Sequence, residues 1–564
     1  MSKQVPNQKW NKKLISLITV LFFSCLLLGG TIGYIFASGP SYETYYGAGG
    51  QTETILYTIW KDGSTYYAKN GETGQIEYSG ASASLVINSV FTSCNSGDTV
   101  VLKGNITLTK YDTESLTAYN DVVEEWDYAL APPSGVTVKI NGFLINEEED
   151  VTAILIANKH DVTIIGGTII GGKTADVDNM LIAIINSYGV KVLDAEIRET
   201  KTGAGNQGIL IDTRRNDSTT PLSYGNKIHG CSFTGIGDYS IYVGWSRDNI
   251  ISENWIRDVT KGIISAWDSY QNVITDNRIV GTTLYAIILQ CKSYLNIVSN
   301  NVIVNSGDDG IILIYNVYRN TITGNTIFSP TKSGIRLKAD EISGGVPPER
   351  AYIGDGFTTK NIVSANMIYS PIIDGIQLDA YNSKGNYENI IVGNYLDTCP
   401  YYYIREIEET SGVVDKNTYG NNRFGTPSTY EVMFTGAENV YDFMIQSEVI
   451  DLSAAAIYPI AWQVPFQSYL VGYKIFYTEA SSADAGVSIK IGRYQAGGGL
   501  DNDAFDVTTS EINKNIGDSL FIETSQLTGF IITADDSITV GTGGGKVGTG
   551  EVQVILYILS GEGT

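Results

Sequence analysis

The 564-residue sequence carries 37 Lys and Arg against 61 Asp and Glu, a net charge of −24, with 43% hydrophobic and 11% aromatic residues. That length exceeds one ordinary domain, and the apolar content excludes a disordered chain. The acidic balance repels nucleic-acid phosphate and anionic lipid, so no nucleic-acid partner is expected; neutral glycans, cations and basic partners remain.

From Leu14 to Ala37 the chain runs 24 residues without a charge, enough for a helix to cross about 30 Å of hydrocarbon. Lys3, Lys9, Lys12 and Lys13 precede it and hold the N-terminus inside, so residues 1–39 read as a single-pass anchor with everything after Ser38 outside. A cleaved signal segment with secretion is the alternative, although the apolar core of a signal usually spans only about 7–15 residues. Setting those four lysines aside leaves 33 basic against 61 acidic residues outside, a charge of −28. Cys25 lies in the apolar segment, and Cys94, Cys231, Cys291 and Cys399 are too dispersed for a disulfide framework. They read as small buried hydrophobes.

Residues 40–96 form a cap region. Within it SASLVINSVFTSC predicts a short helix with Leu85, Val86, Val90 and Phe91 on one side, placed to cover the open end of a stack of strands that starts near Gly97.

An eight-residue phrase then recurs, from Asn226, Asn249, Asn272, Asn296, Asn320, Asn361, Asn389 and Asn417, at steps of 23, 23, 24, 24, 41, 28 and 28. A second phrase, a small residue followed by Ile, runs beside it at Gly208, Ser240, Gly262, Ala286, Gly310, Gly334 and Gly375. Apolar residues alternate in both, as in Ile311 and Leu313, which is strand periodicity with one face buried. Coils of about 23 residues with two or more strands, each pairing with its neighbours, make a parallel β-helix over 97–425. Asn254, Asn277, Asn301, Asn325, Asn366, Asn394 and Asn422 occupy one slot in successive coils, where stacked amides can bond one another and the turn backbone. Cys231 fills that slot in its coil and predicts a gap.

The capping helix, the following GDTVVLKGNITLTK and the Asn-marked coils, together Ser82 to Phe424, resemble the pectate-lyase-like right-handed β-helix superfamily. The resemblance implies an all-β right-handed parallel β-helix and a family of polysaccharide lyases, hydrolases, tailspikes and adhesins, among which fold alone does not choose. After Gly425 the phrase ends, and runs such as SYLVGYKIFYTEA, GVSIKIGRYQ and GEVQVILYIL predict antiparallel strands of a β-sandwich over 426–564, loosely similar to the jelly-roll-like heads of surface fibres.

Such enzymes carry their groove along one parallel sheet, so the outward positions of the small-residue–Ile strands matter most. They read Leu210, Tyr242, Ile264, Ile288, Ile312, Arg336, Gln377 and Asp212, Gly244, Ala266, Gln290, Ile314, Lys338, Asp379: an apolar strip, then charge. The strip needs cover, from an inserted loop, ligand or another copy of the chain as in trimeric assembly. Asp308 and Asp309 in SGDDGI with Arg336 and Lys338 in GIRLK resemble the paired aspartates and basic phrase of polygalacturonase-type hydrolases, but the Gly-His-Gly phrase of that family is missing here. In that resemblance two carboxylates serve as acid and base. A lyase would instead use Asp309, Asp374 and Asp379 on calcium, with Arg336 or Lys338 as base, so Asp309, Arg336, Lys338 and Asp379 are the candidate catalytic set. Trp245 and Trp267 fall at one place in successive coils, with Tyr315 two coils on; with Tyr242 they are the candidate sugar-stacking residues. The segment ADEISGGVPPERAYIGDGF, inserted after Lys338, is placed to overhang the groove.

The preferred reading is a surface-displayed module that binds extracellular polysaccharide or a neighbouring surface protein. A membrane-anchored polysaccharide lyase or hydrolase is the first alternative, and a fibre or surface-layer subunit the second.

Overall fold

The computed structural model describes residues 55–425 apart from short stretches at 118–122, 147, 173–179, 201–204, 215–222, 341–355 and 410, and beyond them the backbone of separate strands. The anchor at 1–39 and most of the insertion after Lys338 lie outside the described residues. Among those described, no helix is long and apolar enough to cross a membrane.

Each coil is built from short strands that pair in parallel with the same strands one coil on. The coil around Asn301 shows the plan. Ile287–Gln290 belongs to a 13-stranded sheet, and after a corner Ile297–Ser299 and Val302–Val304 belong to a second sheet on the other side of the core. In the first sheet Ile287, Ile311, Ile335 and Ile376 stand in one row. In the second Val298, Ile322, Val363 and Ile391 do so. These β-branched residues suit a pleated surface, and all eight are fully buried in one continuous core, which explains why the steps between phrases could not drift.

The corners are held by amides. Asn254 donates its backbone N–H and its Nδ2 to Asn277 Oδ1, at 3.0 and 2.9 Å, and a second Nδ2 bond reaches Ile228 O. The same geometry repeats through Asn301, Asn325, Asn366, Asn394 and Asn422. At Cys231 the amide is replaced by a thiol, whose Sγ makes only long contacts of 3.5 Å to Val192 O and His229 O. The predicted gap is real, and it marks where this ladder begins. The Asn that opens each phrase builds a second ladder, from Asn249 through Asn272, Asn296, Asn320, Asn361 and Asn389 to Asn417.

Ahead of the coils, Ala83–Phe91 forms the capping helix, with Ser82 accepting from Leu85 N as N-cap. Its buried stripe is Ala83, Val86, Ile87, Val90 and Phe91. Leu85 is exposed, correcting the face read from sequence: the i, i+3, i+4 stripe runs through Ile87 and leaves Leu85 at its outer edge. Strands Ile55–Asp62, Thr65–Asn70 and Ile76–Gly80 precede it as a meander, the first pairing in parallel with Thr99–Leu108. The described cysteines form no disulfide, and Cys231, Cys291 and Cys399 are buried as expected of small hydrophobes.

Just beyond 425 the coil pattern continues, Val432–Met433 pairing in parallel with Ile404–Glu408 and Val440–Gln446 with Thr418–Gly420. The longer strands that follow pair antiparallel. Ser468–Tyr477 lies between Ser519–Glu523 and Glu551–Ser560, and Ser488–Gln495 lies between Gly499–Val507 and Ser537–Gly543.

Asn301→Ala should remove an acceptor from the buried N–H of Asn277 and a donor from Ile274 O. A loss of about 2–4 kcal/mol is expected, read as a fall in unfolding midpoint in urea; a change below about 0.5 kcal/mol would show that the ladder is dispensable.

Candidate functional site

The outward face of the 13-stranded sheet carries the groove positions, and the strand alternation sorts them as the sequence implied. Ile263, Ile287, Leu289, Ile311 and Leu313 point into the main core, while Ile264, Ala266, Ile288, Ile312 and Ile314 form a separate cluster outside it. The apolar strip needs no insertion, partner or ligand to cover it. Ile264, Ile288 and Ile312 are buried under Tyr239, Tyr242, Trp267, Tyr285 and Tyr315, side chains of the same coils. The correction has a simple cause: aromatic residues at the two margins of each strand reach inward across the strip, and Tyr239 and Tyr285 lie outside the columns read from sequence.

The roof is aromatic at a geometric cost. The residue that leaves each of four successive groove strands adopts a left-handed backbone, with φ of 38° at Trp245, 56° at Trp267, 55° at Cys291 and 65° at Tyr315. Gly or Asn is most at ease there, and Asn186 fills the equivalent place earlier in the stack. Trp245 and Trp267 instead place their rings 6.4 Å apart, tilted by 47°. Trp267 packs against the strip, and both indoles are half-buried.

One coil on, charge replaces the roof. Arg336 donates from Nε to Asp379 Oδ2 at 2.7 Å and stands 3.7 Å from Asp309 Oδ2 with Nη1. Arg405 pairs with Asp374 at 3.5 Å, Lys332 with Asp308 at 2.7 Å, and Lys338 with Asp340 at 2.8 Å while its ammonium sits 4.8 Å over the Tyr381 ring. The structure thus brings Asp309, Arg336 and Asp379 into direct contact, with Lys338 register partner to Asp379 but paired elsewhere. Arg405 and Lys332 escaped the sequence reading, Arg405 because Tyr403-Ile404 lacks the small residue that marked the other strands.

Burial divides the cluster. Asp309, Asp374 and Asp379 have no exposed side-chain surface, whereas Arg336 keeps 15%, Lys338 21% and Arg405 27%. The carboxylates lie beneath and the cations reach the groove. Burial pushes the Asp309 carboxyl up to about 7, against Arg336 and the Ser333 N–H. Burial likewise raises Asp374 to about 6 against Arg405, and raises Asp379 against Arg336. For Arg336 burial works against the charge, but Asp379 and Asp309 outweigh it and hold the guanidinium above its ordinary value.

The donor set does not suit a metal ion. Each of the three buried aspartates faces a guanidinium, and among the described residues no group of three His, Cys, Asp or Glu is placed to hold one. His160 and His229 lie apart, the first stacked on Tyr188 and the second bonded to Ser252.

A further feature went unread in the sequence. At one corner of the stack His160, Tyr188 and Tyr224 lie ring on ring at 5.3 and 4.9 Å, Arg247 covers Tyr224 at 4.6 Å, and Tyr270, Tyr294 and Tyr318 continue at 4.9 and 5.0 Å. The signal was an aromatic two residues before several of the phrases, as in Tyr224, Tyr270, Tyr294 and Tyr318.

Fold and site define the class: a right-handed parallel β-helix with an aromatic and cationic groove on one sheet. A family model described as periplasmic copper-binding protein (NosD) matches residues 167–343, within the coils. Among solved structures the chain is similar to a double mutant of the tailspike protein of E. coli bacteriophage HK620 at 11% identity, covering 84% of this chain and 88% of that one with a TM-score of 0.45. The same tailspike in complex with a pentasaccharide matches at 11% identity over the same shares, TM-score 0.43. A double mutant of a periplasmic alginate epimerase matches at 13% identity over 61% of this chain and 77% of that one, TM-score 0.37. No curated protein matches the chain in sequence.

Asp309 keeps its proton in the folded chain from about pH 4, where an unfolded Asp releases it, to about pH 7. Over that window the unfolded state binds fewer protons, so the stability contributed by this group falls as pH rises and is level above it. Asp309→Asn should flatten the dependence of the urea midpoint between pH 5 and pH 7; an unchanged slope would show that the pair with Arg336 keeps Asp309 ionised.

Proposed function

We infer that the chain binds extracellular polysaccharide along the face of the 13-stranded sheet. The observation that carries this is the continuity of that face: a roof of Tyr242, Trp267 and Tyr315, with Trp245 beside Trp267, leads into a patch where Arg336, Lys338 and Arg405 reach solvent. Pyranose rings present apolar C–H faces to aromatic rings and hydroxyls to charged donors, so a row of both suits an extended glycan. Binding is favoured over cleavage because Asp309 and Asp379, the carboxylates that a hydrolase or lyase would use, are occupied with Arg336 and have no exposed surface. They act through the guanidinium, holding it in place. Surface display through residues 1–39, with the antiparallel strands after 425 as a sandwich-like end domain, fits the same reading, and a calcium requirement does not.

The lyase or hydrolase reading keeps one supporting observation, a carboxyl at Asp309 raised to about 7, near the range of a general acid. The two separate cleanly. Full-length protein is titrated by calorimetry with a panel of neutral and acidic polysaccharides, with and without calcium, while unsaturated products and reducing ends are followed. Binding without product is expected. Trp267→Asn, which suits the left-handed backbone at that position, should cost about tenfold or more in affinity with about 1 kcal/mol or less in stability. Product release abolished by Asp309→Asn would establish the enzyme instead.

A further inference from the structure

Towards the capped end of the same face, beyond Tyr242, lies a depression of about 630 Å³ that no repeat in the chain signals. Its floor is apolar, from Met180 and Leu210 of a small cluster into which Trp126 and Tyr242 also pack. Among the described residues its walls carry five carboxylates, Glu124, Glu125, Asp127, Asp150 and Asp212, against a single guanidinium, Arg214. Arg214 is already shared, 3.2 Å from Glu124 and 3.2 Å from Asp212, and Lys110 pairs with Asp127. Among the described residues, negative charge therefore remains uncompensated at Glu125 and Asp150.

An independent observation concerns Gln207. Its side chain is 7% exposed and lines the depression, yet its Oε1 is buried without a hydrogen-bond partner. An orphaned buried acceptor costs about 1–3 kcal/mol until it finds a partner. A donor brought by a ligand supplies one. Among the described lining residues the carboxylates outnumber the cations, so the ligand group the depression fits carries donors and positive charge, with an apolar face for Trp126 and Tyr242.

We propose that this depression seats a protonated amino-sugar unit of the bound polysaccharide, its ammonium donating to Gln207 Oε1 and the surrounding carboxylates. The inference rests on the groove reading above, through Tyr242, which belongs both to the depression and to the aromatic roof. The groove then reads charge in order along a glycan: cationic units at the acidic depression, and units with acceptor groups at Arg336, Lys338 and Arg405. A basic peptide would satisfy the carboxylates but would not extend onto the aromatic roof.

The test compares fully deacetylated chitohexaose with fully N-acetylated chitohexaose and with oligolysine on the full-length chain, by calorimetry at about pH 6, where exposed carboxylates are ionised. The deacetylated sugar is expected to bind about tenfold tighter than the acetylated one. Glu125→Gln, at an exposed position, and Gln207→Leu should each remove most of that preference and leave the acetylated sugar's affinity in place. An absent preference, a preference that survives both variants, or oligolysine binding with equal affinity and equal sensitivity to Glu125→Gln overturns the proposal. Failure of both chitohexaoses while another glycan binds with sensitivity to Trp267→Asn overturns it and spares the groove reading; glycan affinity indifferent to Trp267→Asn sinks the groove reading itself.

Discussion

Two columns of buried asparagines set the geometry on which everything else depends. Each Asn gives its Nδ2 to the Asn one coil on and receives from the coil before, so the corner cannot shift by a residue without orphaning several buried polar groups at once. With the corners fixed, every strand pairs in register, and side chains at equivalent positions stand over one another at about the 4.8 Å spacing of neighbouring strands. The tyrosine stack, the aromatic roof and the alternating acid and base of the groove are all consequences of that repeat. None of them would form from the same residues on an irregular scaffold.

The groove uses this repeat in two ways. Where successive coils offer Ile at the outward positions, bulky aromatic residues fold over and make an apolar second layer, at the cost of left-handed backbone at Trp267 and Tyr315. Where they offer charge, acid and base alternate between coils, and the shorter aspartates sink while the longer Arg and Lys side chains reach outward. Polar groups buried so deeply are ordinarily a liability, and the raised pKa values at Asp309 and Asp374 record it. Their retention fits a role in holding Arg336 and Arg405 in fixed positions for a ligand.

Much of the fold was legible in the sequence because the repeat is written in residue types with single physical meanings. The amide slot, the small residue before Ile and the alternation of apolar side chains each identify a strand or a corner, and even the substitution at Cys231 was readable as a gap. The second ladder was in plain view, since the Asn opening each phrase is as regular as the one inside it, but its burial could not be read from spacing. The site was legible in part. Outward columns picked out Arg336 and Asp379 by period alone, whereas Tyr239 and Tyr285, each just before the small residue of its phrase, and the carboxylates at 124–127 and 150 lie outside those columns, where direction depends on packing. Depth was the other thing period could not give: Arg336 and Asp379 both fall in the outward columns, and only side-chain length and pairing decide which one meets solvent.

The central claim, that a glycan lies along the face of the 13-stranded sheet, is tested most directly by hydrogen–deuterium exchange of the full-length protein with and without a saturating bound polysaccharide. Slowed exchange concentrated in the corners at residues 245–248, 267–270 and 315–318, with the second sheet unchanged, is the expected footprint. Protection confined to residues after 425, or to the second sheet around Asn301, would place the glycan elsewhere and contradict the account.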